Sequence, residues 1–272
     1  MARDVKNFLS HGSFHQQSGK HVRAHPRNLR HSRLFTIFTF SRSLRRVSRT
    51  IRGKSDPFLQ NIELPEVDWT DYVKNTFPRI WESKKNNGNV RISELAILAG
   101  LAEQCRPKSN IFEIGTFDGR TTLNLALNAP ESCNIHTLDL PPELATKYEL
   151  ADGERHMVEK PVSGSRFRRY LGSHPRAIGR IHQLFGDSAA FDYKSYENSC
   201  SLVFVDGSHA YDYAISDTRA AFSMVEAGGT IVWHDYGIWK GVTKALGDLE
   251  AGERLGLRNI RGTSLVIWSK GS

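Results

Sequence analysis

Residues 110–119 read Asn-Ile-Phe-Glu-Ile-Gly-Thr-Phe-Asp-Gly, and this stretch decides the predicted fold. A short apolar run carries Glu113, two glycines follow at Gly115 and Gly119, and an amphipathic segment comes next over Arg120–Asn128. A strand, a glycine turn and a helix in this order expose backbone N–H groups and a helix N-terminus to a ligand. Glycine is favoured in the turn because a Cβ would obstruct both the sharp bend and the close approach of a ligand to the backbone.

An acidic residue lies near the end of the next predicted strand. That strand covers residues 135–140 and carries Asp139, whose carboxylate stands where both ribose hydroxyls of a nucleoside can donate to it. The glycines alone fit a purely structural turn as well, but the turn together with Asp139 favours a nucleoside cofactor. A phosphate cradle is disfavoured because the turn lacks both the Gly-Lys-Ser/Thr ending of a P-loop and the Gly-x-Gly-x-x-Gly spacing of dinucleotide binders.

The spacing Glu113-x-Gly115-x-x-x-Gly119 resembles the first motif of class I S-adenosylmethionine-dependent methyltransferases. The resemblance runs from residue 90 to the C-terminus. It implies that the glycines make room for the amino-acid end of S-adenosylmethionine, that Asp139 holds the ribose, and that Asp187 contacts the adenine. An ordinary Asx turn is a competing interpretation of Asp187. The full predicted cofactor-binding set is Glu113, Gly115, Thr116, Gly119, Asp139, Asp187, Ser188 and Asp206.

Predicted strands alternate with predicted helices along this region. The strands are 110–114, 135–140, 180–185, 202–205 and 230–233, and the helices are 95–104, 120–128, 143–160, 210–225 and 242–251. Gly228 and Gly229 are predicted to end the fourth of these helices, and segments 257–260 and 264–268 are predicted to form a hairpin. Alternation predicts an α/β fold with a parallel sheet. With the resemblance, the expectation is a Rossmann-like, doubly wound, mainly parallel sheet of seven strands, one of which is an antiparallel strand of the C-terminal hairpin.

Polar residues follow the fourth and fifth predicted strands. Asp206 and His209 follow strand 202–205, and His234 and Asp235 follow strand 230–233. The carboxyl ends of parallel strands face one crevice, so we expect these four side chains to lie near each other and near the glycine turn. Oxygen ligands with a tolerated nitrogen suit a divalent cation. A structural alternative stays open, in which Asp206 caps the next helix and His209 lies in its first turn.

The sequence Asp-Gly-Ser-His-Ala-Tyr at 206–211 resembles the metal-dependent O-methyltransferases of the catechol and macrolide-sugar type, which share an Asp-Gly-x-His-x-Tyr signature. The resemblance implies that Asp206 and Asp235 bind Mg²⁺ or another divalent cation. His234 stands at a ligand position where the family usually has Asp. His209 matches the position of the base that removes the acceptor's proton. The implied reaction is O-methylation of a hydroxylated small molecule or a glycan.

The positive charge is concentrated at the N-terminus. The whole chain has a net charge of +8; residues 1–54 contain 13 Lys/Arg and one acid, a net charge of +12, whereas residues 55–272 contain 24 Lys/Arg and 28 acids, a net charge of −4. Few apolar residues lie in this leader, so disorder is expected. Contact with an anionic membrane surface, organelle import and nucleic-acid contact are the alternatives. We therefore divide the chain into a leader (1–54), an adaptor (55–90) and a catalytic domain (91–272).

Motifs and composition bear on other function classes. Nucleic-acid base N-methylation is disfavoured because no Asn/Asp-Pro-Pro-aromatic motif follows strand 202–205, while RNA ribose methylation and a non-catalytic cofactor-fold module remain alternatives. Three widely spaced cysteines fit a reducing compartment such as the cytoplasm. An arginine-rich stretch at 166–169 is either a solvated face or an entrance for an acidic substrate. Acceptor identity and oligomeric state stay open.

Overall fold

The computed structural model describes residues 63–84, 90–159 and 162–271. The predicted leader, residues 1–54, lies outside this part of the chain. One mixed sheet forms the centre of the molecule. Its strands in chain order are β1 (Glu66–Val67), β2 (Asn110–Ile114), β3 (Asn134–Asp139), β4 (Ile181–Phe185), β5 (Cys200–Val205), β6 (Val225–Trp233), β7 (Arg258–Ile260) and β8 (Val266–Ser269).

The spatial order of the strands is β1-β7-β8-β6-β5-β2-β3-β4. Strands β2 to β6 pair in parallel, and β8 pairs antiparallel with both β6 and β7. The mainly parallel sheet with an antiparallel C-terminal hairpin is therefore confirmed. The sheet has eight strands where seven were expected, because Glu66–Val67 from the adaptor pairs in parallel with β7. The described part of the adaptor is thus attached to the edge of the catalytic sheet.

The helices are α1 (Ile92–Glu103), α2 (Arg120–Asn128), α3 (Arg155–Val158), α4 (Ser165–Arg168), α5 (Pro175–Ile178), α6 (Tyr211–Met224) and α7 (Lys240–Glu253). Two 3₁₀ turns lie at Trp69–Asp71 and Lys194–Tyr196. No helix among the described residues has the length and apolar composition needed to cross a membrane.

Two local predictions are wrong. The helix expected over 143–160 is reduced to the single turn α3, because the chain reverses at Gly153, whose φ of +81° is incompatible with a right-handed helix. Gly228 and Gly229 do not end a helix but lie inside β6. The pairing register between β5 and β6 shifts there, and the glycine pair supplies a positive φ at Gly228 and close backbone contact at Gly229.

The sheet is covered on both faces, which explains why its central strands are apolar throughout. Alternate residues of each strand point to opposite faces. Val203 and Trp233 belong to a buried cluster with α6 and α7, whereas Phe204 and Val232 belong to a second cluster with α1 and α2. With both faces covered by helices, the carboxyl ends of the parallel strands are the edge at which a ligand can reach the sheet.

The glycine turn after β2 has the backbone geometry that the sequence predicts. Gly115 has a φ of +100°, and a Cβ added there would lie 2.0 Å from the carbonyl oxygen of Asp206. Gly119 has a φ of +83° and caps the N-terminus of α2, where an added Cβ would lie 2.6 Å from Phe167 Cδ1. The turn therefore packs directly against the end of β5.

Replacing Gly115 by Ala is expected to lower the free energy of unfolding by about 3 kcal/mol or more, because left-handed strain adds to a backbone clash that no rotamer relieves. Gly153→Ala is the matched control. Its φ is +81°, but no atom lies within 4 Å of the added Cβ, so a loss of about 1 kcal/mol is expected from strain alone. Urea unfolding of both variants measures the difference. Equal losses would show that the contact with β5 does not restrict the turn.

Candidate active site

A cavity of about 370 Å³ lies at the carboxyl ends of β2 to β6. Eight of the eleven residues predicted for the site line it: Gly115, Asp139, Asp187, Ser188, Asp206, His209, His234 and Asp235. Glu113, Thr116 and Gly119 are not part of its lining. Because these eight residues come from the ends of five different strands, the parallel sheet places the glycine turn and both predicted groups of acids around one space.

Asp139 is buried at the end of β3 beside the glycine turn. Its Oδ1 accepts a hydrogen bond from the backbone N–H of Phe117 at 3.4 Å. Its Oδ2 accepts one from the hydroxyl of Ser163, which in turn accepts one from Gln183 Nε2 at 2.7 Å. A hydroxyl donor thus occupies the carboxylate at which the ribose hydroxyls of a cofactor are expected.

Asp187 is buried after β4 and is held on both oxygens. Its Oδ1 accepts from the backbone N–H of Ala189 at 3.0 Å, so the Asx turn named as a competing interpretation is formed. Its Oδ2 accepts from the backbone N–H of Lys147 at 2.6 Å. Since Asp187 and Ser188 also line the cavity, the turn and an adenine contact are compatible.

Glu113 lies behind the glycine turn. It is fully buried, and its Oε2 accepts hydrogen bonds from the hydroxyls of Thr122 on α2 and Thr137 on β3. Burial raises the pKa of Glu113 to about 8, although the two hydroxyls favour the ionised form. Thr137 also shares a hydrogen bond of 2.7 Å with Thr116. These contacts join α2, β2 and β3, so the structure gives Glu113 and Thr116 a part in fixing the turn.

His209 lies between two carboxylates. Its Nε2 is 2.8 Å from Asp235 Oδ2, and its Nδ1 is 2.9 Å from Glu154 Oε1, which also accepts the His209 backbone N–H at 2.8 Å. The ring stacks on Trp239 with centroids 4.3 Å apart and planes inclined by 13°. Burial opposes the charged ring, but Asp235 and Glu154 outweigh it and raise the pKa of His209 to about 9.

His234 also lies between carboxylates. Its Nδ1 is 2.9 Å from Asp206 Oδ1 and 3.2 Å from Asp235 Oδ2, and its Nε2 is 3.3 Å from Glu94 Oε2. Burial works against protonation here too, yet Asp206 and Asp235 hold the pKa of His234 well above its usual range. Both ring nitrogens therefore face negatively charged partners.

Asp235 joins the two histidines through an unusual backbone conformation. It is a non-glycine residue with a φ of +65°. Such left-handed residues cost free energy and cluster at functional sites. The turn at Asp235 brings one carboxylate oxygen to both His209 and His234. The strand end is thus shaped around this carboxylate.

A set of donor atoms suitable for a divalent cation lies in the cavity. Asp206, His209 and Asp235 each offer one ligand atom, and these atoms all lie within 4.8 Å of one another. Two carboxylate oxygens and one imidazole nitrogen form a donor set that Mg²⁺, Mn²⁺ and related ions accept. The sequence predicted His234 as the histidine of this set. The geometry places His209 in that set instead, because its ring nitrogen lies within 4.8 Å of ligand oxygens of both Asp206 and Asp235.

Two buried acids at the site were missed by sequence reasoning. Glu94, on α1, is 0% exposed, and Glu154, just before α3, is 3% exposed. Glu154 also accepts a hydrogen bond from the hydroxyl of Ser208 at 2.9 Å. A carboxylate on the buried face of α1 beside Leu95 and Leu98 is a signal that could have indicated Glu94.

The arginine-rich stretch, interpreted above as either a solvated face or an entrance for an acidic substrate, lies away from the cavity lining. Arg166 forms ion pairs with Glu82 and, at 2.8 Å, with Asp118. Neither it nor Arg168 nor Arg169 is among the residues that line the cavity. These contacts fasten α4 to the start of α2 and to the segment before α1.

Comparisons with known proteins agree with this architecture. Residues 112–236 match a family described as a methyltransferase domain. A protein of Acanthamoeba polyphaga mimivirus is 26% identical over 149 residues, which are 52% of this chain and 61% of that protein. The chain therefore spans less than two thirds of this relative's length.

Solved structures share the fold at low sequence identity. The O-methyltransferase NovP has a TM-score of 0.52 and 15% identity, with 67% of this chain and 81% of NovP covered. A protein from Corynebacterium glutamicum has a TM-score of 0.51 and 16% identity, with 68% and 83% covered. Residues 112–236 thus match a methyltransferase domain family, and the described sheet shares its fold with the O-methyltransferase NovP.

Proposed function

We propose that this protein transfers the methyl group of S-adenosylmethionine to an oxygen atom of a hydroxylated small molecule or a glycan. The observation that carries the proposal is the cluster of Asp206, His209 and Asp235 in the same cavity as the glycine turn. An alcohol is a poor nucleophile until its proton is removed or its pKa is lowered. Carboxylates and an imidazole next to the cofactor supply both functions, whereas transfer to a more nucleophilic atom requires neither.

Different residues of the chain bind the cofactor and the acceptor in this proposal. In this proposal the turn at Gly115 receives the amino-acid end of the cofactor, Asp139 accepts the ribose hydroxyls, and Asp187 with Ser188 borders the adenine. In-line transfer then depends on holding the acceptor oxygen opposite the methyl group. Asp206 and Asp235 would hold a divalent cation, which would supply the positive charge that lowers the pKa of the reacting hydroxyl.

His209 is the residue on which removal of the acceptor's proton depends. Either it takes the proton as a general base, in the neutral form that it adopts above its pKa of about 9, or it completes the donor set of the cation. Asp235 and Glu154 fix the orientation of its ring in both cases. The two roles differ in one measurable property, because only a donor contributes to the affinity for the cation.

The charge of the lining indicates an uncharged acceptor. The residues that line the cavity include one arginine, Arg91, and two histidines against six acids: Glu94, Asp139, Glu154, Asp187, Asp206 and Asp235. A phosphate or carboxylate group on the acceptor would be repelled. An apolar part of the lining, formed by Leu150, Met157, Val158, Ile238 and Trp239, suits a ring or another apolar group next to the hydroxyls. A neutral catechol or a neutral sugar with adjacent hydroxyls fits this combination better than RNA does.

Acceptor-dependent release of S-adenosylhomocysteine tests the proposal. The full chain is incubated with S-adenosylmethionine, Mg²⁺ and pairs of neutral and anionic acceptors, such as glucose with glucuronate and catechol with a catechol carboxylate. Turnover of the neutral members is expected. Turnover of RNA alone, or cofactor binding without transfer to any acceptor, would contradict the proposal and favour ribose methylation or a non-catalytic module. The same assay with a chelator added tests separately whether turnover requires the cation.

A further inference from the structure

We propose that Glu94 is a positioning residue of this site: it holds His234, and through His234 it holds the Asp206 and Asp235 carboxylates in place to receive the cation and the acceptor. The inference rests on the proposed function and extends it to a residue outside the strand ends. Glu94 lies on α1, 140 residues before His234 in the chain.

The carboxylate of Glu94 is completely enclosed and has partners on both oxygens. Its Oε1 accepts hydrogen bonds from the backbone N–H and the hydroxyl of Ser264, at 2.8 and 2.9 Å. Its Oε2 accepts from the backbone N–H of Arg91 at 2.9 Å and lies 3.3 Å from His234 Nε2. These contacts fix the position of Oε2 against the imidazole. Glu94 therefore defines the rotation of the His234 ring.

His234 passes this constraint to the strand ends. Its other nitrogen, Nδ1, is 2.9 Å from Asp206 and 3.2 Å from Asp235. One ring nitrogen therefore lies within hydrogen-bonding distance of both carboxylates and fixes where they stand relative to each other. Glu94 on the far side fixes the ring so that Nδ1, and not the ring carbon Cδ2, faces the pair.

The same arrangement accounts for a histidine at the position where the resembling family usually has Asp. An acid in place of His234 would put a third carboxylate beside Asp206 and Asp235 and leave Glu94 without the ring N–H, which is unfavourable. A histidine instead joins Glu94 to Asp206. The geometry thus assigns His234 to holding the donor carboxylates, with Glu94 as its anchor.

Glu94→Gln is the variant that tests this link. A glutamine is nearly isosteric and keeps a carbonyl oxygen for the two hydrogen bonds from Ser264. Its amide NH₂ group, however, would place a donor against the His234 Nε2–H and the Arg91 backbone N–H, so both of these bonds are lost, and the double variant described below separates the two losses. Glu226→Gln is the matched control, because Glu226 also has an ion pair and two serine hydroxyl bonds but lies beside Arg106, and it is not part of the cavity lining.

The measurements are Mn²⁺ and S-adenosylhomocysteine affinity by calorimetry, and kcat and KM at saturating Mn²⁺, on the full chain. In Glu94→Gln we expect Mn²⁺ affinity to fall by roughly 10–100-fold, the range found when a partner of a metal ligand is removed. The affinity for S-adenosylhomocysteine is expected to stay within about threefold of the wild-type value, a change of less than 1 kcal/mol. Glu226→Gln is expected to bind Mn²⁺ like the wild type.

A double variant tests whether Glu94 acts through His234. In a His234→Asn background, Glu94→Gln is expected to cause no further loss of Mn²⁺ affinity. Wild-type Mn²⁺ affinity in Glu94→Gln, or full additivity in the double variant, overturns the inference. If Glu94→Gln does not fold, His234→Asn alone decides it, and unchanged Mn²⁺ affinity in that variant overturns it equally.

Failure of the proposed function gives a different pattern. A wild-type protein that transfers no methyl group overturns the proposed function, and the inference with it. A wild type that transfers methyl groups but does not bind Mn²⁺ removes the cation from the proposal. The positioning role of Glu94 is then tested by kcat at saturating substrate concentrations. A wild-type kcat in Glu94→Gln would overturn that role.

Discussion

Replacing His209 by Ala is expected to lower the turnover number of methyl transfer by roughly 10²–10⁴-fold, the range found when a general base is removed. The imidazole contacts both Asp235 and Glu154, and Trp239 stacks on its face. Affinity for S-adenosylhomocysteine is expected to change by less than about threefold, since His209 does not touch the glycine turn.

His182→Ala is the control for this variant. His182 lies exposed on β4 and is not part of the cavity lining, so wild-type turnover is expected. Mn²⁺ titration of His209→Ala then separates the two roles of the ring. Unchanged Mn²⁺ affinity with low turnover identifies a base, and a parallel loss of both identifies a donor. Turnover at the wild-type level would remove His209 from the mechanism and leave only the positioning of the acceptor.

The fold could be predicted from the sequence because alternating strands and helices follow a general rule. Apolar runs of about five residues, each followed by a helix, permit few arrangements other than a parallel sheet with both faces covered. In such a sheet the residues after each strand meet at one edge. Asp206 and Asp235, 29 positions apart in the chain, could therefore be expected in one cavity, and they are.

That rule does not predict the acids that contact His209 and His234. Glu94 lies at the start of α1, where a Ser-Glu pair ordinarily indicates a helix N-terminus, and nothing local marks a contact with β6. Glu154 lies in a segment without regular structure before α3, and its contact with His209 depends on how that segment crosses the sheet edge. Periodicity identifies which elements form, but contacts made by irregular segments follow from tertiary packing.

The segment between β3 and β4 shows how much this omission matters. A long helix was expected there, yet the chain crosses the site in turns and contributes three of its contacts: Lys147 to Asp187, Glu154 to His209 and Ser163 to Asp139. In each contact one partner, Asp187, His209 or Asp139, is a residue that the sequence predicted for the site. The strand ends were predictable, and the residues that surround them were not.

Asp139→Ala is expected to weaken the binding of S-adenosylhomocysteine by roughly 10²–10³-fold, because two hydrogen bonds to a charged acceptor are lost at about 1.5–3 kcal/mol each, less what water restores. Asp139 lies at the end of β3 beside Gly115, with one oxygen bonded to the backbone of Phe117. Calorimetry measures the loss, and urea unfolding of the same variant shows whether the fold is retained. Equal affinity of the wild type for NAD would contradict the assignment of the cofactor to this carboxylate.

Ser163→Ala is the companion variant, because its hydroxyl occupies the Asp139 oxygen that a ribose would need. If the ribose displaces Ser163, the substitution removes a competitor, and affinity for S-adenosylhomocysteine should be unchanged or higher. If the hydroxyl instead belongs to the bound state, affinity should fall together with that of Gln183→Ala, since Gln183 orients Ser163 at 2.7 Å. A wild-type affinity in Asp139→Ala would remove the carboxylate from cofactor binding, whichever way Ser163 behaves.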